Sequence, residues 1–413
     1  MIAMPLTRRD AILRLSCAAT TALAGEPQIE KIDLFQAAAG DYALYRIPGI
    51  VVTQKGTILA FCEARRGTAN DWGIIDVMLR RSEDGGRTWT PRRKVADVPG
   101  PHQKNPVALV QNLAQPDERT YNNPLAIAGR DGTVHFLYCL EYMRAFYMRS
   151  TDEGKTFSAP LEITAAFEGF RSAYDWKVLA TGPGHGIQLR NGRLIVPVWL
   201  STGVGGNAHK PSVNSVIFSD DNGLTWKPGE IAVADTPEYA SASETIAAEL
   251  ADGRVMLNVR TTSKNNLRVV VFSRDGATGW TAPRFHQQLL EPICMASMVR
   301  HSLARGGRGR NRLLFSNPDN LERIDGKAAP GAGRDRRNLT VKMSYDEGET
   351  WPVSKSIEES WSGYSDLAVL KDGTVLCFYE RGRLKDDHFR TAALTVARFK
   401  LEWLTAGKDK GKQ

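Results

Sequence analysis

Charged side chains and one tyrosine stand at the ends of short apolar runs in this chain. Arg46 opens one such run, and Glu63 and Arg65 close the run that follows. Asp71 precedes Ile74 to Arg80. Glu244 and Arg260 bracket a later pair of runs, and Tyr364 and Glu380 bracket the last pair. Arg336 and Arg337 precede Leu339 to Met343. Several arginines around one pocket fit an anionic ligand, best a carboxylate, which a guanidinium grips with two parallel hydrogen bonds. Carboxylates beside them fit glycosyl chemistry, which ordinarily uses one carboxyl group as acid and another as nucleophile. A sugar bearing its own carboxylate on the anomeric carbon would repel an Asp or Glu nucleophile. A phenol is neutral until its proton is removed, so a tyrosine with a glutamate base is a sensible substitute.

Two interleaved repeats supply the elements that must position these groups. The first is Ser-x-Asp-x-Gly-x-Thr followed by an aromatic residue. It occurs at Ser82, Asp84, Gly86, Thr88 and Trp89, and again at Ser150 to Phe157, Ser219 to Trp226 and Ser344 to Trp351. Ser273, Asp275, Thr278 and Trp280 form a degenerate copy. This pattern reads as a hairpin turn in which the Asp side chain bonds backbone N–H groups two residues on and the aromatic packs beneath. The second repeat is an x-Gly turn between apolar runs, at Gly56, Gly132, Gly192, Gly253 and Gly373, with a weaker one near Asn311. These recur at roughly 60-residue intervals, as repeat architectures do. Two hairpin turns per unit imply four antiparallel strands, and six such units predict an all-β, six-bladed propeller.

The same logic sorts side chains by face. The x-Gly turn joins strands one and two of a unit, and the Asp-turn joins strands three and four, so both turns share one end. The opposite end carries the residues that open strand one, close strand two and precede strand three. Arg46, Glu63, Arg65, Asp71, Glu244, Arg260, Arg336 or Arg337, Tyr364 and Glu380 occupy those positions.

Composition narrows the remaining classes. With 42% hydrophobic and 24% charged residues, the chain matches a soluble globular protein. Its net charge of +8 owes much to Arg8, Arg9 and Arg14 at one end and Lys408, Lys410 and Lys412 at the other. No basic stripe with interleaved aromatics points to nucleic acid. Beyond the N-terminus, no apolar run reaches the roughly 18 residues a membrane span needs. Residues 1–25 read as an export signal: Arg8 and Arg9 precede an apolar stretch from Ala11 that ends in Ala22, Leu23 and Ala24. The paired arginines fit the twin-arginine type and predict a periplasmic or secreted protein. Cys17 does not fit a lipoprotein site, because Arg14 stands where that site wants an apolar residue. Cys62, Cys139, Cys294 and Cys377 lack metal-site spacing and read as buried thiols, with a disulfide open in an exported protein. Residues 26–404 are expected to form the propeller, and the basic tail 405–413 to be disordered.

Tyr45, Arg46, Ile47 and Pro48 resemble the Phe/Tyr-Arg-Ile-Pro signature of the bacterial and trypanosomal exo-α-sialidases, and the Ser-x-Asp repeats resemble their Asp-boxes. The similarity covers about residues 28–403. Asp-boxes alone are not specific, since non-enzymatic propellers carry them; the full succession of Arg, Asp, Glu, Arg, Arg, Tyr and Glu is more so. The resemblance implies that Arg46, Arg260 and Arg336 bind the substrate carboxylate, with Arg337 as the alternative third arginine. It implies that Arg65 contacts ring hydroxyls and that Glu380 orients Arg46. Tyr364 would be the nucleophile, Glu244 its base and Asp71 the general acid/base. A tyrosine nucleophile is a known departure of sialidases from the two-carboxylate rule. Asp71 would then need a raised pKa, and the small run Gly67 to Asn70 would let it approach the leaving group. Gly182, Pro183, Gly184, His185, Gly186 and Ile187 also resemble a family segment, without a defined role. No cofactor or metal is implied, and the partners would be sialylated glycans. A non-catalytic Asp-box propeller, a hydrolase of another 2-keto acid sugar and a transglycosidase are the other readings.

Overall fold

The computed structural model describes residues 28–67, 70–304, 306, 308–385, 387 and 389–411; the expected export signal lies outside the described residues. The chain is all-β. Its helices among the described residues, Pro106–Val110, Ala165–Glu168 and Leu401–Leu404, are one turn or little more. None is long and apolar enough to cross a membrane.

Both repeats form hairpin connections. The x-Gly turns all place their glycine at positive φ. In the first Asp-turn, Ser82 Oγ donates to Asp84 Oδ1 at 2.8 Å and accepts from the Gly86 N–H at 2.9 Å. Asp84 accepts from the Thr88 N–H at 2.9 Å and from Thr88 Oγ1 at 2.6 Å. The other three clean copies repeat the bonds from threonine to aspartate. The carboxylate thus reaches four residues on, not two, and closes a wider turn than a simple Asx-turn. The aromatic that follows anchors the turn: Trp226 and Trp351 are buried, and Phe157 packs on Phe136 at 5.4 Å.

Four separate sheets come first. Leu44–Val52, Ile58–Arg65, Ile75–Ser82 and Arg93–Lys94 pair antiparallel in chain order. Tyr121–Ala128 through Leu161–Glu162, Val178–Thr181 through Lys227–Pro228, and Thr245–Glu249 through Arg284–Leu290 repeat the plan. In the first three, the outer strand is only two residues long. The expectation of six separate sheets is not met. Ser297–Ser302, Arg312–Pro318, Arg337–Ser344, Val353–Val369, Val375–Arg381, Ala393–Phe399 and Glu30–Gln36 form one seven-stranded sheet. The cause is the 17-residue strand Val353–Val369. Its first part pairs with Arg337–Ser344, and beyond an irregularity between Ser362 and Ser365 it pairs with Val375–Arg381. Tyr364, expected to open a strand, therefore lies inside one, at the point where the backbone changes partner.

Apolar clusters fill the space between successive sheets, and one cluster joins the last strands (Leu376, Phe378, Leu394, Val396) to the first sheet (Tyr45, Ile50, Ile58, Cys62). The series of sheets thereby packs back on its own beginning. The strand Glu30–Gln36, paired antiparallel with Ala393–Phe399, ties the two ends together. Burying a side chain such as Phe378 or Leu394 contributes about 1.5–3 kcal/mol, so this closure is held by packing as well as by the ladder. Cys62, Cys139, Cys294 and Cys377 are buried free thiols. Burial pushes Cys139 up to about 12 and Cys294 up to about 11, which leaves both protonated and inert at neutral pH. The tail also differs from expectation: Asp409 accepts from Arg312 Nε and Nη2 at 2.8 and 2.9 Å, and both side chains are buried. A buried guanidinium needs a counter-charge, and this acid from the tail supplies it.

Candidate active site

Arg46, Asp71, Glu244, Arg260, Arg336 and Tyr364 line one cavity of about 140 Å³, together with Ile47, Asn123, Tyr142, Trp199, His209 and Phe389. Arg337 does not line it. Arg337 pairs with Glu322 at 2.7 Å near the surface, because neighbouring residues of a strand point to opposite faces.

Tyr364 is the centre of the constellation. Its hydroxyl donates to Glu244 Oε1 and accepts from Arg260 Nη1 at 2.8 Å. The same Nη1 donates to Glu244 Oε2 at 2.6 Å. The guanidinium carbons of Arg46 and Arg336 stand 5.3 and 5.1 Å from the centre of the phenol ring. Burial raises the pKa of Tyr364 above the ordinary tyrosine value and Glu244 adds to this, with the three arginines opposing. Burial pushes Glu244 up as well, but Arg260, the tyrosine hydroxyl and Arg336 outweigh it and hold the carboxylate below its usual range. At rest the proton is on the phenol and the charge on the glutamate, which is the state a base-activated nucleophile requires.

Glu380 builds the wall behind this pair. It is fully buried and accepts from Arg46 Nε at 2.9 Å, Arg46 Nη2 at 3.3 Å, the Ile47 N–H at 3.3 Å and the Tyr364 N–H at 3.0 Å. Ile47 sits at φ 60°, which a β-branched side chain adopts at a cost of about 1–3 kcal/mol. One carboxylate thus fixes the first arginine, the strained turn after it and the nucleophile's backbone. It can approach that closely because residue 363 is glycine: a Cβ there would meet Glu380 Oε2 at 2.1 Å. Gly363→Ala is expected to cost about 1–3 kcal/mol of stability and to cut turnover at least about ten-fold. Thermal unfolding and steady-state kinetics check both.

Asp71 is the most open of the acids, with 37% of its side chain exposed against 12% for Glu244 and 1% for Glu380. It is therefore the carboxyl that can meet a leaving group. Its pKa differs from expectation. Burial raises it, but Arg65, then His209 and Arg46, lower it further, and the net result is well below the usual carboxylate range. Arg65, expected to contact the sugar, lies behind Asp71. Arg65 is 1% exposed and does not line the cavity. Its Nη1 pairs with Asp71 Oδ1 at 2.8 Å, and its Nη2 pairs with Glu63 Oε2 at 2.6 Å. The guanidinium is a tether for Asp71, not a wall of the pocket. Thr68 and Ala69, within the run expected to move with Asp71, lie outside the described residues. From the other side, Lys104 Nζ donates to the Trp72 carbonyl at 2.6 Å and pairs with Glu141 at 2.9 Å, which steadies the backbone after Asp71.

An aromatic wall stands beside Asp71, built from residues that share no repeat in the sequence. Trp72 and Tyr142 lie 4.5 Å apart, and His209 stacks on Trp72 at 5.5 Å and meets Trp199 edge-on at 5.3 Å. Trp199 Nε1, His209 Nε2 and Arg260 Nε are buried polar atoms without hydrogen-bond partners among the described residues. Arg336 donates to the Ile293 carbonyl at 3.0 Å and stacks against Phe389 at 4.7 Å, with no acidic partner among the described residues. An arginine with no direct ion pair among the described residues, beside two paired ones, is a site prepared for an anion. No three His, Cys, Asp or Glu side chains gather as a metal site among the described residues.

A profile described as "BNR repeat-like domain" matches residues 56–377. The chain is 32% identical over 397 residues to a sialidase of Micromonospora viridifaciens, covering 92% of this chain and 55% of that one. It is 30% identical over 363 residues to a sialidase of Bacteroides fragilis, covering 83% and 61% respectively. The chain thus spans just over half the length of these two relatives. Among solved structures, it superposes on the Hadza microbial sialidase Hz136 with a TM-score of 0.68 at 26% identity, covering 91% of this chain and 69% of that one.

Proposed function

The chain belongs to the BNR repeat-like domain family and stands among its sialidases, and on that premise we propose that it is an exo-sialidase. It would release terminal sialic acid from glycans, with retention of configuration through a tyrosyl intermediate. The observation that carries this reading is the Tyr364–Glu244–Arg260 contact set at the centre of a three-arginine pocket. Counting the seven-stranded sheet as two four-stranded blades that share Val353–Val369 would make the scaffold a six-bladed propeller, and the shared strand supports that count. The N-terminal sequence would deliver the protein to the periplasm or beyond, which cell fractionation can test.

Arg46, Arg260 and Arg336 take the substrate carboxylate. That places the anomeric carbon over Tyr364 Oη. Glu244 accepts the phenol proton as the oxygen attacks, and Asp71 protonates the departing sugar oxygen. Water activated by Asp71 then attacks the same carbon, and two inversions give net retention. Arg65 positions Asp71.

Asp71 is ionised in the resting protein, so its acid form must be recruited. A bound carboxylate engages Arg46, one of the cations that depress Asp71, and the sugar covers the carboxyl from water; both changes raise its pKa. For glycan substrates, whose leaving oxygen needs a proton, kcat/KM is expected to rise as pH falls below neutral. The rise ends where Glu244 takes up a proton and ceases to act as a base. An aryl α-sialoside with a good leaving group needs no such proton. The test compares sialyllactose with an aryl α-sialoside for wild type and Asp71→Ala. Wild type should cleave both. The variant should lose about 10²–10⁴-fold on sialyllactose and far less on the aryl substrate. Equal losses would contradict the acid role, and no cleavage of either by folded wild type would contradict the proposed function.

A further inference from the structure

A second polar centre is built on the strands that carry Arg46 and Tyr364. Asp366 is fully buried and accepts from four donors. His185 Nδ1 stands 2.7 Å from Oδ1, Ser297 Oγ donates to the same oxygen at 2.8 Å, and the Leu367 N–H reaches it at 3.1 Å. The Ile50 N–H donates to Oδ2 at 2.9 Å. One carboxylate therefore ties together Leu44–Val52, which carries Arg46, Gly184–His185, Ser297–Ser302 and Val353–Val369, which carries Tyr364. No ladder pairs these strands with one another. Asp366 and Tyr364 are two residues apart on the same strand. Ile47, Cys294, Met295 and Tyr364 itself form one buried apolar cluster.

The local sequence is shaped to bring this imidazole in. A Cβ on Gly184 would lie 2.7 Å from Met295 Cε and 3.3 Å from Asp366, and Gly184 has a φ of +95°. A Cβ on Gly186 would lie 2.6 Å from the Ile195 carbonyl oxygen. Gly184 and His185 pair parallel with Leu125 and Ala126, in sheets that are otherwise antiparallel.

We propose that His185 is a positioning residue for the reaction: through Asp366 it holds the Tyr364 and Arg46 strands in register from behind. The inference rests on the reading of Tyr364 as nucleophile. His185 is in reach of solvent protons, because it lines a cavity of about 490 Å³ that also meets Arg130, Arg190, Glu249 and Arg300. Of these, Arg190 pairs with Glu249 and Arg300 with Glu347. The Cys377 thiol near Asp366 is neutral, its pKa raised by burial. Asp366 is the one acid among the described residues in contact with His185. Burial opposes the imidazolium, but Asp366 outweighs it and the pKa is raised. The charged tie is therefore complete below the ordinary histidine range and is lost as pH rises through the raised value.

The test uses the full chain, an aryl α-sialoside, and the variants His185→Ala and His185→Asn. The asparagine amide keeps a donor near Nδ1 but cannot titrate. His185→Ala should lower kcat by about 10–100-fold, the scale of a misplaced reacting group. Wild type should show a fall of kcat on the alkaline side; His185→Asn should recover most of the loss near neutral pH and should lack that fall. Thermal unfolding of both variants identifies the temperature at which each is folded. Folded His185→Ala with wild-type kcat, or an unchanged alkaline limb in His185→Asn, overturns the proposal. Either result combined with an inactive Tyr364→Phe leaves the nucleophile reading intact, whereas a fully active Tyr364→Phe removes that reading itself.

Discussion

Tyr364→Phe is expected to lower kcat/KM for an aryl α-sialoside by about 10³-fold or more while leaving thermal stability within about 1 kcal/mol of wild type. The two effects separate because the hydroxyl and the ring do different jobs. The ring keeps its place between Arg46 and Arg336 in the variant. The partners of the hydroxyl also keep each other, since Arg260 and Glu244 are in direct contact at 2.6 Å. What disappears is the oxygen that Glu244 is arranged to deprotonate. A side chain that merely packed would show the opposite pattern, with lost stability and retained turnover. Steady-state kinetics and a thermal melt on the same preparation decide between them.

Glu380→Ala is expected to be the most damaging single change to stability in the site, at about 3–5 kcal/mol, the cost of leaving one partner of a buried ion pair uncompensated. Arg46 would lose its two bonds to the carboxylate, and the Ile47 and Tyr364 N–H groups would lose their acceptor. The strained φ of Ile47 would lose the contact that holds it. Activity should fall with stability, because the same carboxylate aims the first arginine and fixes the nucleophile's backbone. Glu380→Gln keeps an acceptor without the charge and should cost less on both counts. Thermal melts of the two variants measure the difference; equal melting temperatures for Glu380→Ala and wild type would show that Arg46 finds its counter-charge elsewhere.

Local signals in the sequence carried a large part of the fold and the site. The Asp-turns and x-Gly turns are short-range patterns, and they fix which strand ends share a face. That was enough to bring Arg46, Asp71, Glu244, Arg260, Arg336 and Tyr364 to one cavity. What local pattern cannot carry is long-range pairing. Arg46 meets Glu380 across 334 positions of chain, and His185 meets Asp366 across 181. The aromatic wall of Trp72, Tyr142, Trp199 and His209 comes from loops and strand ends with no repeat in common. The aromatic next to Asp71 was the one available hint. The role of Arg65 and the depressed pKa of Asp71 have a common cause: a salt bridge that only the folded chain brings within 2.8 Å. The long strand Val353–Val369 hid its change of partner because Gly363 alone marks the irregularity within Ser360 to Ser365, and one glycine does not say which strand pairs next.

The most direct test of the central claim is to trap the intermediate. The protein would be incubated with 2,3-difluorosialic acid as its activated glycosyl donor, digested, and its peptides examined by mass spectrometry. A single 3-fluorosialyl adduct, formed with loss of the anomeric fluoride, on the tyrosine of the peptide containing Tyr364 and absent from Tyr364→Phe, is the predicted result. An adduct on Glu244 or Asp71, or steady turnover with no adduct on any tyrosine, would contradict the account.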